Sequence, residues 1–161
     1  MPFDKDREVV EMYKSVVYGI ALVRVKGATD ADDIFQEVFM AYFKRPRVFL
    51  NEGHRKGWLI KTTMICCQNY IKNKRSYETL DEEHISAPIK HETHQEVIDA
   101  LFSLDETVRT VIYLYYFEDY KTKEIASLLG RKESTVRMQM KRGRASLKAI
   151  LEESNDEEER Y

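Results

Sequence analysis

Two short amphipathic stretches lie almost end to end late in the chain: Lys123-Glu124-Ile125-Ala126-Ser127-Leu128-Leu129-Gly130, then Ser134-Thr135-Val136-Arg137-Met138-Gln139-Met140-Lys141-Arg142. The three- to four-residue turn between them is the spacing of a helix-turn-helix, which lays its second helix in a DNA groove. Ala126 is small where the helices must cross closely, and Gly130 supplies a turn conformation that other residues resist. Ile125, Leu129, Val136 and Met140 then form the core. Ser134, Thr135, Arg137, Met138, Gln139, Lys141 and Arg142 remain for a partner, with Lys132 at the helix entrance. Arginine and glutamine can read guanine and adenine edges, while lysine, serine and threonine mostly hold phosphates. A helical hairpin with a merely solvated face has the same spacing, but the basic run from Arg131 to Lys148 favours a polyanion.

Two other groups suit a different chemistry. Asp32, Asp33, Gln36 and Glu37 make an acidic and polar face on a helix whose other side carries Ile34, Phe35, Val38, Phe39 and Tyr42. Such a face suits a basic protein surface, although solvation alone would also explain it. Trp58, the only tryptophan, sits beside Lys56 and Lys61 in a stretch, His54 to Arg75, with six basic residues and no acidic one. A flat ring among cations can stack on an unpaired base; a lone tryptophan also fits a core.

The elements that must hold these groups are helical. Of 161 residues 43% are hydrophobic and 34% charged, and only three are proline, which favours an all-α chain with real cores. Val9, Tyr13, Val16, Val17, Ile20 and Val23 recur at helical spacing, with Gly27 as a stop. Thr29-Asp30-Ala31-Asp32 has a capping-box pattern and opens a second helix that Pro46 ends. A polar loop over 47–56 leads into a third helix over 57–74, burying Leu59, Ile65, Cys66 and Tyr70. Residues 76–92 show no period; they are polar, acidic and interrupted by Pro88. Helices resume after Thr93, where Glu96 completes a second capping box. Ser103-Leu104-Asp105-Glu106 makes a third, ahead of Val108, Val111, Ile112, Tyr115 and Tyr116, and helices over 122–129 and 133–151 follow. The expected layout is two small helical domains, 1–75 and 93–151, joined by a flexible acidic linker, 76–92, with an acidic tail, 152–161.

The net charge of −2 hides this alternation of basic and acidic blocks, which suggests two polyanion-binding surfaces. No apolar run approaches the roughly 18–20 residues that span a membrane, and the N-terminal residues lack a signal-peptide core. Cys66 and Cys67 are adjacent, too close for an ordinary structural disulfide, so a reducing cytoplasm is the natural compartment. His84, His91 and His94 match no standard zinc spacing, and no nucleophile–base pair, carboxylate pair or phosphate-binding glycine loop emerges. Neither metal, cofactor nor catalysis is expected.

Three segments together resemble a known family. Asp32-Asp33-Ile34-Phe35-Gln36-Glu37-Val38-Phe39 resembles the polymerase-binding helix of sigma-70-type factors. Gly57-Trp58-Leu59-Ile60-Lys61 resembles the start of their helix at the promoter −10 element, and Leu104 to Leu147 their −35 reading domain. The order, from about Val9 to Ile150, is similar to that of the extracytoplasmic-function (ECF) group, which has only regions 2 and 4. The resemblance implies a non-enzymatic subunit whose partners are core RNA polymerase, promoter DNA and, for many members, an anti-sigma factor. It implies that Asp32, Asp33, Gln36 and Glu37 meet the clamp coiled coil of the largest polymerase subunit. Asn51, His54, Arg55, Lys56, Trp58, Lys61 and Lys72 would engage the −10 element, the loop at 49–55 forming a pocket for one extruded base. Lys132, Ser134, Thr135, Arg137, Met138, Gln139, Lys141 and Arg142 would engage the −35 element. Two residues depart from the family pattern: Lys132 stands where a capping serine is common, and Gly143 where alanine is usual, at a cost of about 1 kcal/mol. The rival readings are a helix-turn-helix repressor or activator that works without core polymerase, and a protein-binding adaptor that has kept the fold.

Overall fold

The computed structural model describes residues 2–45, 47–77 and 95–158, and among these every regular element is an α-helix. The chain divides into two compact units, Met1–Ala87 and Pro88–Tyr161. In the first, α1 (Pro2–Val25), α2 (Ala28–Lys44) and α3 (Glu52–Tyr77) each pack on the other two. Of the apolar residues at helical spacing in α1, Val17, Ile20 and Val23 are fully buried, as are Ile34 and Val38 of α2 and Leu59 of α3. Ile65 is a correction: it is 58% exposed, and Ile60, Thr63 and Cys67 take the buried stripe instead. Thr63 is tolerated there because its hydroxyl donates to the Leu59 carbonyl at 2.7 Å.

The α1–α2 corner also differs from expectation. The left-handed residue is Lys26 (φ 62°), not Gly27, and its N–H closes α1 on the Leu22 carbonyl at 2.8 Å. Gly27 is extended and serves as the N-cap of α2 without a side-chain bond, so Thr29 and Asp30 lie inside the helix rather than at a capping box. Asp30 instead pairs with Lys74 of α3 at 3.5 Å. Arg45, the residue before Pro46, is extended, as the proline ring demands, and ends α2. The helix expected from residue 57 begins at Glu52, one and a half turns earlier, because Asn51 caps it.

The second unit is built around α7 (Glu133–Glu158), which packs on α4 (Gln95–Ser103), α5 (Glu106–Tyr116) and α6 (Thr122–Leu129). Much of the expected acidic tail is therefore the last part of α7. Gly143 faces α5 so closely that a Cβ there would stand 2.7 Å from Ile112 and 2.9 Å from Val108. Its helix-propensity cost is accepted for that approach. Ser103-Leu104-Asp105-Glu106 does not form its box; Ser103 bonds back to Ala100, and Asp105 accepts from the Thr107 hydroxyl at 2.6 Å. The α4–α5 turn is held from inside by Arg109, 2% exposed, whose guanidinium donates to the Phe102 and Leu104 carbonyls at 3.2 and 3.5 Å. Those carbonyls form the negative end of α4, which suits a buried cation. Thr93, the cap of the box expected with Glu96, and nearly all of the linker expected at 76–92 lie outside the described residues.

Candidate nucleic-acid interfaces

In the second unit the turn between α6 and α7 is as the residues require. Gly130 is left-handed (φ 63°, ψ 36°), and the Arg131 N–H reaches the Ala126 carbonyl at 3.0 Å, closing α6. At the other end of α6 the Glu124 carboxylate accepts from the Lys121 N–H at 2.9 Å. Ile125, Ala126, Val136 and Met140 are buried, with Leu129 only half-buried. This core turns Ser134, Thr135, Arg137, Met138, Lys141 and Arg142 outward, all exposed, with Lys132 exposed at the helix entrance. Lys132 offers no capping oxygen, but its backbone carbonyl accepts the Val136 N–H at 3.1 Å and starts the helix.

Two of these side chains are already engaged. Arg137 donates to Glu133 one turn earlier at 2.8 Å, a pair open enough to exchange for a base or phosphate. Gln139 is half-buried, and its amide oxygen accepts from Arg131 at 3.1 Å. Bidentate reading of adenine through Gln139 therefore requires Arg131 to release it. The sequence reading omitted Arg144, although Arg137, Lys141 and Arg144 follow the i, i+4, i+7 rule and so share a face. Arg144 donates to the Tyr116 hydroxyl at 2.8 Å and lies over the Tyr115 ring at 5.4 Å. With Lys121, Thr122 and Tyr115 these residues line a groove of about 460 Å³, rich in cations. Such a groove suits a phosphate backbone.

The first unit presents its cations differently. Lys61 and Lys72 are both exposed and eleven residues apart on α3, hence on one face and separated by about 16 Å of helix axis. At the N-terminal end of α3, Tyr42, Phe49, His54 and Trp58 form a connected cluster of rings. Phe49 stacks on Tyr42 at 6.1 Å and meets His54 and Trp58 edge-on at 5.3 and 6.2 Å. The Arg47 guanidinium covers the Trp58 ring at 4.4 Å, and Arg55 lies 5.3 Å from the Phe49 centroid. Trp58 is thus half-buried, neither a core residue nor a bare ring.

Asn51 and His54, expected in an open loop, are parts of the helix cap. The Asn51 side-chain oxygen accepts the His54 N–H at 2.8 Å, and His54 Nδ1 accepts the Leu50 N–H at 3.2 Å. That bond leaves the neutral imidazole proton on Nε2. Glu52 joins the same turn to α1 by accepting from Tyr13, and it pairs with Arg55. The Tyr13 hydroxyl and Arg55 hold the Glu52 carboxyl below the usual carboxylate range, while burial and the same bond push Tyr13 up to about 12. The sequence placed Tyr42 on the apolar side of α2 but did not join it to Phe49, Arg47 and Trp58, since nothing local marks rings seven to sixteen residues apart as neighbours.

On α2, Ala31, Ile34, Val38 and Phe39 are buried, and Asp32, Asp33, Gln36 and Glu37 are all exposed, as the period of the helix requires. The carboxylates are not isolated from the bundle. Burial, then nearby Glu37, pushes the Cys66 thiol of α3 up to about 11, and Asp32 adds to the burial that raises Tyr18. Both cysteines are buried, and neither is in a disulfide. Among the described residues no cluster of three or more His, Cys, Asp or Glu forms a metal site; His84, His91 and His94 lie outside them. No helix among the described residues is long and apolar enough to cross a membrane.

Comparison with known proteins connects these surfaces. Residues 9–77 match the model of sigma-70 region 2, and residues 94–147 that of sigma-70 region 4. The chain is 29% identical over 134 residues to RNA polymerase sigma factor SigV of Bacillus subtilis, covering 81% of each chain. It is 25% identical over 160 residues to the ECF RNA polymerase sigma factor SigM of the same organism, covering 93% of this chain and 98% of that one. Among solved structures, the sigma factor RpoE in complex with the anti-sigma factor NepR from Bartonella quintana has a similar fold. The TM-score is 0.71 at 16% identity, over 91% of this chain and 96% of that one.

Proposed function

This chain belongs to the sigma-70 family, in its ECF group, and we propose that it binds core RNA polymerase through α2 and carries it to promoters. The observation that carries this reading is the coexistence of an exposed acidic face on α2 with two cationic surfaces, one in each unit. In this reading Asp32, Asp33, Gln36 and Glu37 meet the basic clamp of the polymerase. The cap and basic face of α3 engage the −10 element: Asn51, His54, Arg55, Lys56, Trp58, Lys61 and Lys72. α7 lies in the −35 major groove through Arg137, Lys141 and their neighbours, Arg144 included. Members of the family are not enzymes, and the work here is placement and strand opening rather than bond chemistry. A cytoplasmic location goes with this role. An anti-sigma factor belongs among the partners, since the similar RpoE structure holds one. A repressor acting without polymerase would leave the α2 face without a use.

Run-off transcription with bacterial core polymerase, on promoters selected from random DNA, tests the reading. Adding this chain is expected to give initiation at defined sites, and Asp33→Lys or Glu37→Lys to abolish core binding without loss of fold. Both residues are exposed, so the helix should tolerate the change. Undiminished core affinity in the folded variants would remove α2 from the interface, and promoter footprinting by the protein alone would favour the repressor.

A further inference from the structure

The side-chain amide of Gln139 has two opposite ends, a carbonyl oxygen that accepts and an NH2 that donates. Which end reaches DNA decides which base it can read. In this chain a residue outside the recognition helix makes that choice. Arg131 lies in the turn between α6 and α7, directly after the left-handed Gly130, and its own N–H closes α6 on the Ala126 carbonyl at 3.0 Å. Its backbone is therefore fixed, and its side chain reaches the second turn of α7. There Nη1 donates to the Gln139 side-chain oxygen at 3.1 Å. A guanidinium carries N–H donors and no acceptor, so only the oxygen end of the amide can face it. The NH2 end is turned away from Arg131.

A second pair on α7 shows what burial adds. The Arg137 side chain is 69% exposed, so water and phosphate compete for its bond to Glu133 and the pair exchanges readily. Arg131 and Gln139 are both half-buried, and a charge-assisted bond with less water around it is held more firmly. Gln139 and the exposed Arg142 line one groove of about 630 Å³ beside α7, so the amide is open to a partner on the side that Arg142 also serves. We infer that Arg131 determines specificity through Gln139. By holding the amide oxygen it offers DNA a donor alone, and so selects a base whose major-groove edge accepts, guanine or thymine, over adenine or cytosine. Glutamine reads adenine with both ends of its amide, and the adenine N6 amino group, like cytosine N4, would meet the NH2 donor to donor. Arg131 itself touches no base and is a positioning residue. The inference rests on the promoter-binding reading above and adds a residue which that reading does not use.

The test selects −35 sequences from promoters randomised across that element, using the full chain assembled with core polymerase. Wild type should enrich guanine or thymine at one position, and Gln139→Ala should erase the preference at that position alone, which locates the contact. Arg131→Met keeps the aliphatic stem and releases the oxygen. The same position should then move to adenine, the adenine-to-guanine ratio rising about tenfold. Arg131→Lys, which still donates, should keep the wild-type preference. Gln139→Glu is an independent arm should Arg131→Met disturb the turn. Arg131 can hold one carboxylate oxygen while the other accepts, so the position should move to cytosine. A wild-type preference for adenine at that position overturns the inference. So does an Arg131→Met chain that loses affinity for every sequence equally, which would make Arg131 a phosphate contact or a brace for the turn. Absence of any enrichment by the wild-type holoenzyme would remove the promoter-binding reading itself, and this inference with it.

Discussion

In the second unit the groups proposed to face DNA stand on one helix braced from behind; in the first they stand where a loop enters a helix, fixed by rings and caps. The contrast follows from the state of the DNA each would meet. Duplex offers a groove of regular width, so a rigid helix with Arg137, Lys141 and Arg144 on one face is sufficient. Separated strands offer flat apolar faces in no fixed frame, so the protein must supply both the surface and its geometry. Tyr42, Phe49 and Trp58 supply stiffness there, and the cations are arranged around them. One surface depends on the core beneath a helix, the other on contacts within the surface itself.

That difference can be broken most sharply through the buried cation of the second unit. Replacing Arg109 by methionine leaves the Phe102 and Leu104 carbonyls without their donor and should cost about 2–4 kcal/mol. Hydrogen exchange on the full chain should show α4–α7 opening while α1–α3 keep wild-type protection. Equal loss in both units would mean that they do not fold separately.

A functional contrast of roughly 1–3 kcal/mol comes next. Arg137→Ala and Gln139→Ala should weaken initial binding and relax −35 preference, as mobility shifts would report. Trp58→Ala should leave initial binding near normal and impair opening, seen as lost permanganate reactivity of −10 thymines, because Arg47 and Phe49 lose the ring they pack on. Trp58→Phe should retain more opening than the alanine variant. A Trp58→Ala chain that unfolds α1–α3 would make the ring purely structural.

Gly143→Ala opposes two known terms. Alanine gains about 1 kcal/mol of helix propensity, but its methyl would meet Ile112 and Val108 closer than carbon atoms approach. Both neighbours are β-branched, and Ile112 is buried, so neither can swing away. Overpacking of this kind costs about 1–3 kcal/mol, and a net loss in thermal stability is expected. A gain would show that α5 shifts freely on α7.

These cases also mark how far the sequence could be read. Helix periods placed α2's acidic face and all of α7's outward residues except the half-buried Gln139 on the exposed side, because a single helix carries its own period and its buried side follows. Gly143 read as a defect and Arg109 was not singled out, because each answers to a partner helix or turn that local pattern does not contain. The start of α3 was placed late for a related reason. Asn51 and His54 were expected as loop groups, and only the fold shows them satisfying the His54 N–H in the first turn of the helix and the N–H of Leu50. Thr29 and Asp30 were misread in the opposite sense, as a cap, since Lys26 takes the left-handed turn itself and moves the helix start to Ala28.

The smallest expected effect is the most diagnostic of how the first unit holds its loop. Tyr13 and Glu52 lie 39 residues apart, so their hydrogen bond joins α1 to the first turn of α3, just behind the aromatic cluster. The Asp105–Thr107 bond in the second unit spans only two residues and joins no separate elements. Glu52 titrates below its ordinary 4.5, so its contribution is present above that pH and is lost as pH falls through the lower, folded value. Tyr13 is raised from 10.0 to about 12, so its contribution is full below 10 and is lost as pH rises through about 12. Tyr13→Phe removes the bond, and with it the Tyr13 titration and the largest cause of the Glu52 shift, leaving only the part that Arg55 supplies. The stability difference between wild type and variant should therefore be level from about pH 5 to 9 and shrink toward either extreme. Denaturant midpoints across that range measure it, with hydrogen exchange of α1 and α3 assigning the change to the first unit. A difference that stays constant from acid to alkali would reduce Tyr13 to packing alone, and the loop would then hang on its rings without an anchor to α1.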